Sequence, residues 1–348
     1  MQAPSGAERA AGVCAGRQPA VRASPGFGWP DVGVLGAAVL WGLNYTSVKV
    51  ALDDFPPLVF GSLRFLIATS LLFGLLAFVE QGVKVTPADK GRLLLMGALS
   101  IGINQVLFLD GLRRTSASIG AIMFACASAF TIMLAVYLLG ERAGPRLWAG
   151  VVLASGGIAV IVGQATAGGE QVLIGDVEVF FSALAVGLSS LLAKGVLQRY
   201  SALRVTAWSS LWGLCCLLPF GAIALPTVQW SHVRAHSWDA LAFTAVGASV
   251  VTLILWYGGI AHVGVVRATA YGYLQPILGV AFAAVLLGDQ LTARQLAGGA
   301  VALVGTWLAS TSTLSRTARL AAAQTARGPA PAQTNARHRS SPTRKGSN

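Results

Sequence analysis

The sequence predicts an all-α membrane protein with ten transmembrane helices in two inverted five-helix repeats. Charged residues make up only 11% of the chain, whereas a soluble protein has about 25%. A helix needs roughly 20 apolar residues to cross a bilayer, and open sheets do not occur in lipid. Ten apolar runs of this length are present, at 32–51, 57–79, 92–110, 116–139, 146–163, 175–196, 204–225, 239–261, 267–287 and 295–312.

Two segments of the chain recur at a nearly constant offset. The segment 41–49 (Trp-Gly-Leu-Asn-Tyr-Thr-Ser-Val-Lys) returns as 186–194 (Val-Gly-Leu-Ser-Ser-Leu-Leu-Ala-Lys), 145 positions later. The segment 138–141 (Leu-Leu-Gly-Glu) returns as 286–289 (Leu-Leu-Gly-Asp), 148 positions later. Each copy holds an odd number of spans, so the second copy crosses the membrane in the opposite direction. Inverted repeats of this kind are typical of transporters.

The repeats divide the chain into five parts. The first repeat occupies 29–163 and the second 172–313, and the polar segment 164–171 links them. Residues 1–28 lack the continuous apolar core of a signal peptide, and residues 314–348 are basic and rich in Pro, Ala, Ser and Thr. We expect both ends to be disordered and cytoplasmic.

The formal net charge of +12 is interpreted by the positive-inside rule. Connections assigned to the cytoplasm hold 19 Lys and Arg and those assigned outside hold 4, while Lys49 and Arg64 lie within spans, which accounts for all 25. The pair Arg113 and Arg114 is the exception, because this assignment puts it outside. The distribution predicts a multi-pass protein of the cell (inner) membrane with both termini cytoplasmic, and nucleic acid is not an expected partner.

No pattern in the sequence indicates catalysis or a metal. The four cysteines and four histidines are scattered, and the GxSxG, HExxH and phosphate-loop motifs do not occur in the sequence. We therefore expect no catalytic residue, no metal site and no cofactor. The expected partners are a small-molecule substrate and the lipid bilayer.

Charged side chains within spans are costly in lipid and are functional candidates. Arg64 lies about 10 Å below the end of its span. It either pairs with a backbone carbonyl at a broken helix or faces a wet cavity and an anionic group of the substrate. Lys49 and Lys194 lie near span ends, where they either extend to the interface or take part in coupling.

Carboxylates are missing from the centres of the predicted spans, since all 13 acidic residues lie in tails, connections or span ends. Proton relays in membranes use buried acidic residues or histidines. If a proton gradient drives this protein, the carrier is Glu141, Asp289, Glu178 or the substrate itself. Exchange and uniport are equally compatible with the sequence.

Neutral polar and aromatic side chains at mid-span line a cavity or pack between helices. In the ninth span, Pro276 removes a backbone donor and frees the carbonyl of Gly272, and such a free group is tolerated only against protein or a wet cavity. Together with Arg64, the candidates for a substrate cavity are Trp41, Asn44, Asn104, Trp256, Tyr271 and Gln275.

The order of several short motifs resembles the EamA domain of the drug/metabolite transporter superfamily. The resemblance covers about 29–313 and rests on Trp-Gly-x-Asn at 41–44 with Lys49, Leu-Arg-Phe at 63–65, Leu-Gly-Glu-Arg at 139–142, Gly-Asp at 175–176, Leu-Trp-Tyr at 255–257, Tyr-Leu-Gln-Pro at 273–276 and Leu-Gly-Asp at 287–289.

This resemblance implies ten helices around a central cavity, lined mainly by helices 1, 3, 4, 6, 8 and 9, and export of small metabolites. The chain departs from the family where Ser128 replaces the usual proline that matches Pro276, where Val186 replaces Trp and where Asp289 replaces Glu. We take Pro276 and Ser128 as candidates for a helix break or gate. Lys49, Lys194, Glu141 and Asp289 are candidates for coupling or for the interface.

The favoured function is a permease that exports a small metabolite or drug-like compound, such as an amino acid or nucleoside, by alternating access. The alternatives are a lipid-head-group flippase of the same architecture and, less favoured because carboxylate pairs are missing, a membrane-embedded enzyme. Small residues in the fifth and tenth spans either pack helices within one chain or join two copies in a homodimer. They include Gly150, Gly157, Gly298 and Gly305.

Overall fold

The computed structural model describes residues 27–80, 82–138, 144–165, 169–263 and 265–326, and this part of the chain folds into helices and short connections without a strand. The helices are α1 (Trp29–Ala51), α2 (Pro57–Val79), α3 (Pro87–Arg114), α4 (Ala117–Leu138), α5 (Pro145–Ala165), α6 (Glu170–Val196), α7 (Ala202–Ala224), α8 (235–263), α9 (265–287, interrupted at Tyr273) and α10 (Ala293–Ala326).

The predicted all-helical membrane fold is confirmed. Within the described residues, nine helices, α1 to α9, are long and apolar enough to cross a bilayer, and α10 is a further long helix that packs along α5. Proline lies in the first turn of α1, α2 and α3, where the backbone N–H that it lacks has no helical partner to lose. Gly288, with φ of 70° in the left-handed region, ends α9.

The two repeats run in opposite directions through the bundle. We call the end of the bundle at which α1 begins the start face, and the opposite end the far face. Lys49, at the end of α1, contacts the end of α3, and Thr115, just after α3, contacts Asp176 near the beginning of α6. The second repeat therefore begins at the far face, whereas the first begins at the start face.

The same contact between helices occurs twice, once for the first helix of each repeat. Gly42 of α1 lies so close to α9 that an added Cβ would meet Leu278 Cβ at 2.8 Å. Its equivalent, Gly187 of α6, lies against Thr131 of α4, and residue 131 corresponds to 279 at the offset of 148. The helix that opens each repeat thus crosses the fourth helix of the other repeat, which joins the two halves in one bundle.

The third helix of each repeat contains a stretch of π-helix, at Ala98–Ile103 in α3 and at Phe243–Val251 in α8. These stretches coincide at the repeat offset of 148. A wider turn shifts the backbone hydrogen bonds and is frequent at functional sites. In α8 the Thr252 hydroxyl donates to the carbonyl of Gly247, five residues earlier. The sequence analysis did not foresee these segments.

Helices α5 and α10 pack against each other through glycine. A Cβ at Gly150 would collide with Gly305 O and Ala309 N, and one at Gly157 with Gly298 O and Ala302 N. These glycine faces are therefore used within one chain, and the possible homodimer stays a prediction.

The boundary expected at 313 differs from the structure. Helix α10 continues to Ala326, because the residues after 313 are mostly Ala, Leu, Thr and Arg, and alanine, leucine and arginine are good helix formers. Most of the predicted disordered start, 1–28, and the end of the tail, 327–348, lie outside the described residues.

We expect Gly157→Ala to destabilise the protein and its neighbour Gly156→Ala not to. Both changes gain about 0.8–1 kcal/mol of helix propensity, but only the Cβ at 157 meets backbone atoms of α10, while the one at 156 has open space. Overpacking of this kind costs about 1–3 kcal/mol. Thermal unfolding in detergent measures the difference, and equal midpoints for the two variants would contradict the close α5–α10 contact.

Candidate functional site

A cavity of about 320 Å³ lies in the middle of the bundle, where the two repeats meet. Its walls come from the helices that open each repeat and from those that carry the π-helical stretches, with further side chains from α2, α4 and α9. The lining residues are Trp41, Asn44, Tyr45, Arg64, Asn104, Gln105, Phe108, Phe124, Val186, Ala248 and Gln275.

Arg64 contributes a buried positive charge to this cavity. The residue is only 7% exposed, and its Nε and a terminal nitrogen lie 3.4 and 3.3 Å from the Ser249 hydroxyl oxygen. Ser249 can act as the acceptor because its own hydrogen is donated to the carbonyl of Thr244. Among the described residues, no carboxylate lies within ion-pair distance of Arg64. A buried cation without an anion is costly, so the cavity is suited to an anionic group.

Amide side chains contribute acceptors to the same cavity. Asn104 Nδ2 donates to the carbonyl of Ser182 at 3.1 Å, and Gln105 Nε2 donates to Asn104 Oδ1 at 2.9 Å. These bonds fix both side chains and leave Gln105 Oε1 without a partner. Asn44 Oδ1 is likewise buried and unpartnered. Buried acceptors normally have hydrogen bonds, so these two oxygens are available for donors of a bound molecule.

An aromatic wall completes the cavity. The rings of Tyr45, Phe108 and Phe124 meet edge to face, with centroids 5.9 to 6.2 Å apart. Such pairs favour this geometry because the ring edge is positive and the face negative. Trp41 lies beside Trp256, with centroids 5.1 Å apart. The wall offers apolar surface and ring faces next to the polar groups.

A second cavity of about 240 Å³ adjoins the first and shares Tyr45, Phe124 and Gln275 with it. Gln275 Nε2 donates to the Tyr45 hydroxyl at 3.1 Å, and this bond joins α1 to α9 between the cavities. Movement of either helix would open a passage from one cavity to the other.

The second cavity lies beside the interruption of α9. The helix breaks at Tyr273, three residues before Pro276, and both residues border this cavity. Ser128 also borders it, but α4 is continuous through this position, so Ser128 does not break a helix. Unlike proline, serine keeps its backbone N–H and fits the helix without distortion.

The structure brings together five of the seven predicted cavity residues. Trp256 lies instead in the second cavity. Tyr271 does not line the central cavity, since its hydroxyl donates to Asp31 Oδ1 at 2.9 Å at the start face. The five that line the central cavity are Trp41, Asn44, Arg64, Asn104 and Gln275.

Six residues that line the central cavity were not among the predicted candidates: Tyr45, Gln105, Phe108, Phe124, Val186 and Ala248. Tyr45 and Gln105 directly follow Asn44 and Asn104 in the sequence, so the polar pairs were a usable signal. In the sequence, Phe108 and Phe124 look like ordinary core residues of apolar spans. Only the packing of α3 against α4 places them at the cavity.

Lys49 and Asp289 form hydrogen bonds with backbone groups at helix ends of the far face. Lys49 Nζ donates to the carbonyls of Leu112 and Thr115 at the end of α3, and Asp289 Oδ2 accepts from the backbone N–H of Ser118 in the first turn of α4. Each charge suits the helix dipole at its end. Glu141 and the side chain of Lys194 lie outside the described residues.

Two inverted five-helix repeats around a polar cavity at mid-bundle define the class of membrane transport proteins. The chain belongs to the EamA-like transporter family, whose model matches residues 28–163 and 173–311. It is therefore a multi-pass membrane transporter.

Proteins from several bacteria are similar to this chain over most of their length. A probable amino-acid metabolite efflux pump of Salmonella typhimurium is 27% identical over 78% of this chain and 91% of its own length. Its counterpart of the same description in Escherichia coli is 26% identical with the same coverage. A probable terminal-alkyne amino-acid exporter of Streptantibioticus cattleyicolor is 28% identical over 80% of this chain and 92% of its own.

A solved crystal structure shares the fold. It superposes with a TM-score of 0.55 at 16% sequence identity and covers 81% of this chain and 96% of its own. At this identity the likeness concerns the fold alone.

Replacing Lys49 by Met should destabilise the protein, because the carbonyls at the end of α3 lose their charged donor. A hydrogen bond to a charged group contributes about 1.5–3 kcal/mol, and we expect a loss of about that size in the free energy of unfolding. Lys49→Arg, which keeps charge and donors, is the matched control. Detergent unfolding curves that coincide for Lys49→Met and the wild type would contradict this role.

Proposed function

We propose that this protein exports amino acids, or metabolites that keep the amino-acid backbone, by alternating access. The observation that supports this most directly is the pairing of opposite polarities in one cavity. The Arg64 guanidinium has no anion among the described residues, while Asn44 Oδ1 and Gln105 Oε1 are acceptors without donors. A zwitterion presents a carboxylate and an ammonium, and these would satisfy both sets of groups at once.

The size and lining of the cavity agree with this substrate class. About 320 Å³ lies at the small end of the roughly 300–1,000 Å³ typical of ligand pockets. The rings of Tyr45, Phe108 and Phe124 would hold an apolar side chain, and the Trp41 ring would attract an ammonium. The names of the relatives as amino-acid exporters point in the same direction.

Alternating access would follow from the inverted repeats. The Gln275–Tyr45 hydrogen bond and the interruption of α9 lie between the two cavities, so a rocking motion of α1 against α9 would move a substrate from one to the other. Helices α5 and α10, held together by glycine contacts, would act as a rigid support.

We propose further that the protein lies in the cell membrane with its start face toward the cytoplasm. The basic residues assigned to that side support this orientation, since the expected division is 19 to 4. The proposed direction of export is then from the start face to the far face.

Competition by substrate analogues tests the zwitterion. In vesicles containing the purified protein, a panel of labelled amino acids is screened for exchange, and the best substrate is competed with the amine that lacks its carboxylate and the acid that lacks its ammonium. For leucine these are isoamylamine and isocaproate. We expect neither analogue to compete at concentrations where the amino acid does. Equal competition by all three would overturn the proposed substrate class.

Arg64→Gln should weaken exchange of the amino acid by roughly 30-fold or more. In this variant the carboxylate of the bound amino acid would be buried without a cation, which costs about 2 kcal/mol or more. In this variant the amine analogue should compete as well as the amino acid, since the group that distinguishes them is gone. Arg64→Lys is the control and should retain part of the activity. If Arg64→Gln exchanged the amino acid at the rate of the wild type, Arg64 would not bind the substrate carboxylate.

A further inference from the structure

We propose that Asp176 is a proton-binding site at the far face, and that its carboxyl group gains and releases a proton during the transport cycle. The proposal deepens the proposed function, because it names how such a carrier would use a proton gradient. Asp176 is a different residue from the proton carriers predicted from the sequence, which are Glu141, Asp289, Glu178 or the substrate itself.

Asp176 is buried, and no cationic side chain in the described part of the chain forms a salt bridge with it. It lies in the second turn of α6 and is 1% exposed. Its Oδ1 accepts a hydrogen bond from the Thr115 hydroxyl at 2.6 Å, and its Oδ2 has no partner. The residue borders an apolar cavity of about 350 Å³ between α4, α5 and α6. A buried carboxylate in such surroundings is costly, whereas the neutral acid is tolerated.

The charged side chains near Asp176 are engaged with other groups and do not neutralise its carboxylate. On α3, Arg114 pairs with Asp110 and lies 3.6 Å from Glu178 of α6, so one arginine serves two other carboxyl groups. Helix α4 carries no acidic or basic residue, and α5 carries only Arg146, near its opposite end. Lys49 of α1 is directed to the carbonyls of α3 and toward Asp289.

The other repeat provides an internal comparison. Asp31 of α1 lies 145 positions earlier and is also fully buried, but it is satisfied as an anion. It pairs with Arg267 at 2.9 Å and accepts hydrogen bonds from the Tyr271 hydroxyl and from the backbone N–H of Gly28. The equivalent position thus holds a paired ion in one repeat and an unpaired carboxyl in the other.

Ionisation of Asp176 would disturb the packing of α3 against α6. The backbones touch here, since a Cβ at Gly111 would lie 2.8 Å from Gly175 O, and the cavity beside Asp176 is lined mainly by apolar side chains. When the Oδ2–H bond breaks and the proton passes to the Glu178 carboxylate or to water, the new carboxylate has one donor for two oxygens. Its hydration would bring water into this apolar cavity or separate α3 from α6.

Thr115 would transmit this change to the substrate cavity. Its hydroxyl contacts Asp176, and its carbonyl accepts from Lys49 Nζ. Lys49 belongs to α1, which supplies Trp41 and Asn44 to the cavity. Proton release and movement of a cavity helix are therefore linked through one residue.

Infrared difference spectra of the protein in lipid nanodiscs, between about pH 5 and about pH 9, test the site without a substrate. We expect a protonated-carboxyl band in the wild type that is lost in Asp176→Asn. Thr115→Val removes the hydrogen bond to Oδ1 and should shift the frequency of this band. An unchanged band in both variants would overturn the proposal, and Thr115→Val keeps it testable if Asp176→Asn does not fold.

Asp54→Asn is the matched control for these spectra. Asp54 lies in the α1–α2 connection, where hydrogen bonds from the Arg234 side chain, from Ser237 and from the Arg234 backbone hold its pKa below the usual range. A depressed pKa means that its contribution to stability is present above the unfolded pKa and is lost only as the pH falls through the lower folded value. The Asp54 carboxylate therefore stays ionised over the whole pH range of the experiment, and Asp54→Asn should keep the protonated-carboxyl band of the wild type.

Vesicles loaded with a labelled amino-acid mixture test coupling. The response of amino-acid exchange to an imposed pH gradient should be at least about ten-fold smaller in Asp176→Asn than in the wild type. A gradient response that persists in Asp176→Asn would refute the coupling role. If the wild type moves no amino acid, the proposed substrate class fails, while the infrared result still decides whether Asp176 binds a proton.

Discussion

The hydrocarbon core of a membrane offers no water, so each polar group at that depth needs a partner within the protein. Most charges in the described part of this chain have one near the faces of the bundle, as in the pairs Asp89–Arg199 and Glu80–Arg204. Arg64 and Asp176 are both buried, and among the described residues neither forms a salt bridge.

Three irregular stretches of the backbone lie beside polar groups of the central cavity, whereas a fourth, the π-helical stretch Ala283–Leu287, lies at the end of α9. The π-helical stretch of α3 ends directly before Asn104, and that of α8 contains Ser249, the contact of Arg64. The interruption of α9 is next to Gln275. The regular helices α5 and α10 pack through glycine backbones and contribute little to the central cavity. The fold thus keeps the glycine contacts between α5 and α10 apart from the elements that line the central cavity.

Much of the site could be predicted because helical spacing groups residues on one face. Trp41 and Asn44 share a face of α1, and Arg64 is too deep in its span to reach the interface. Tyr271 and Ser128 show the limit of this reasoning. Helix α9 is interrupted at Tyr273, and Tyr271 lies at the start face. Helix α4 is continuous through Ser128. Neither result is encoded in the spacing of the sequence.

The sequence by itself determined the all-helical membrane fold, the inverted repeat and the position of Arg64 within its helix, because hydrophobic length and residue period are local properties of a chain. Tertiary structure alone decided which charges are paired. Asp31 and Asp176 occupy equivalent positions in the two copies, and only the neighbouring helices give one an arginine and leave the other with a single hydroxyl. Pairing depends on side chains distant in sequence, so it follows from packing and not from pattern.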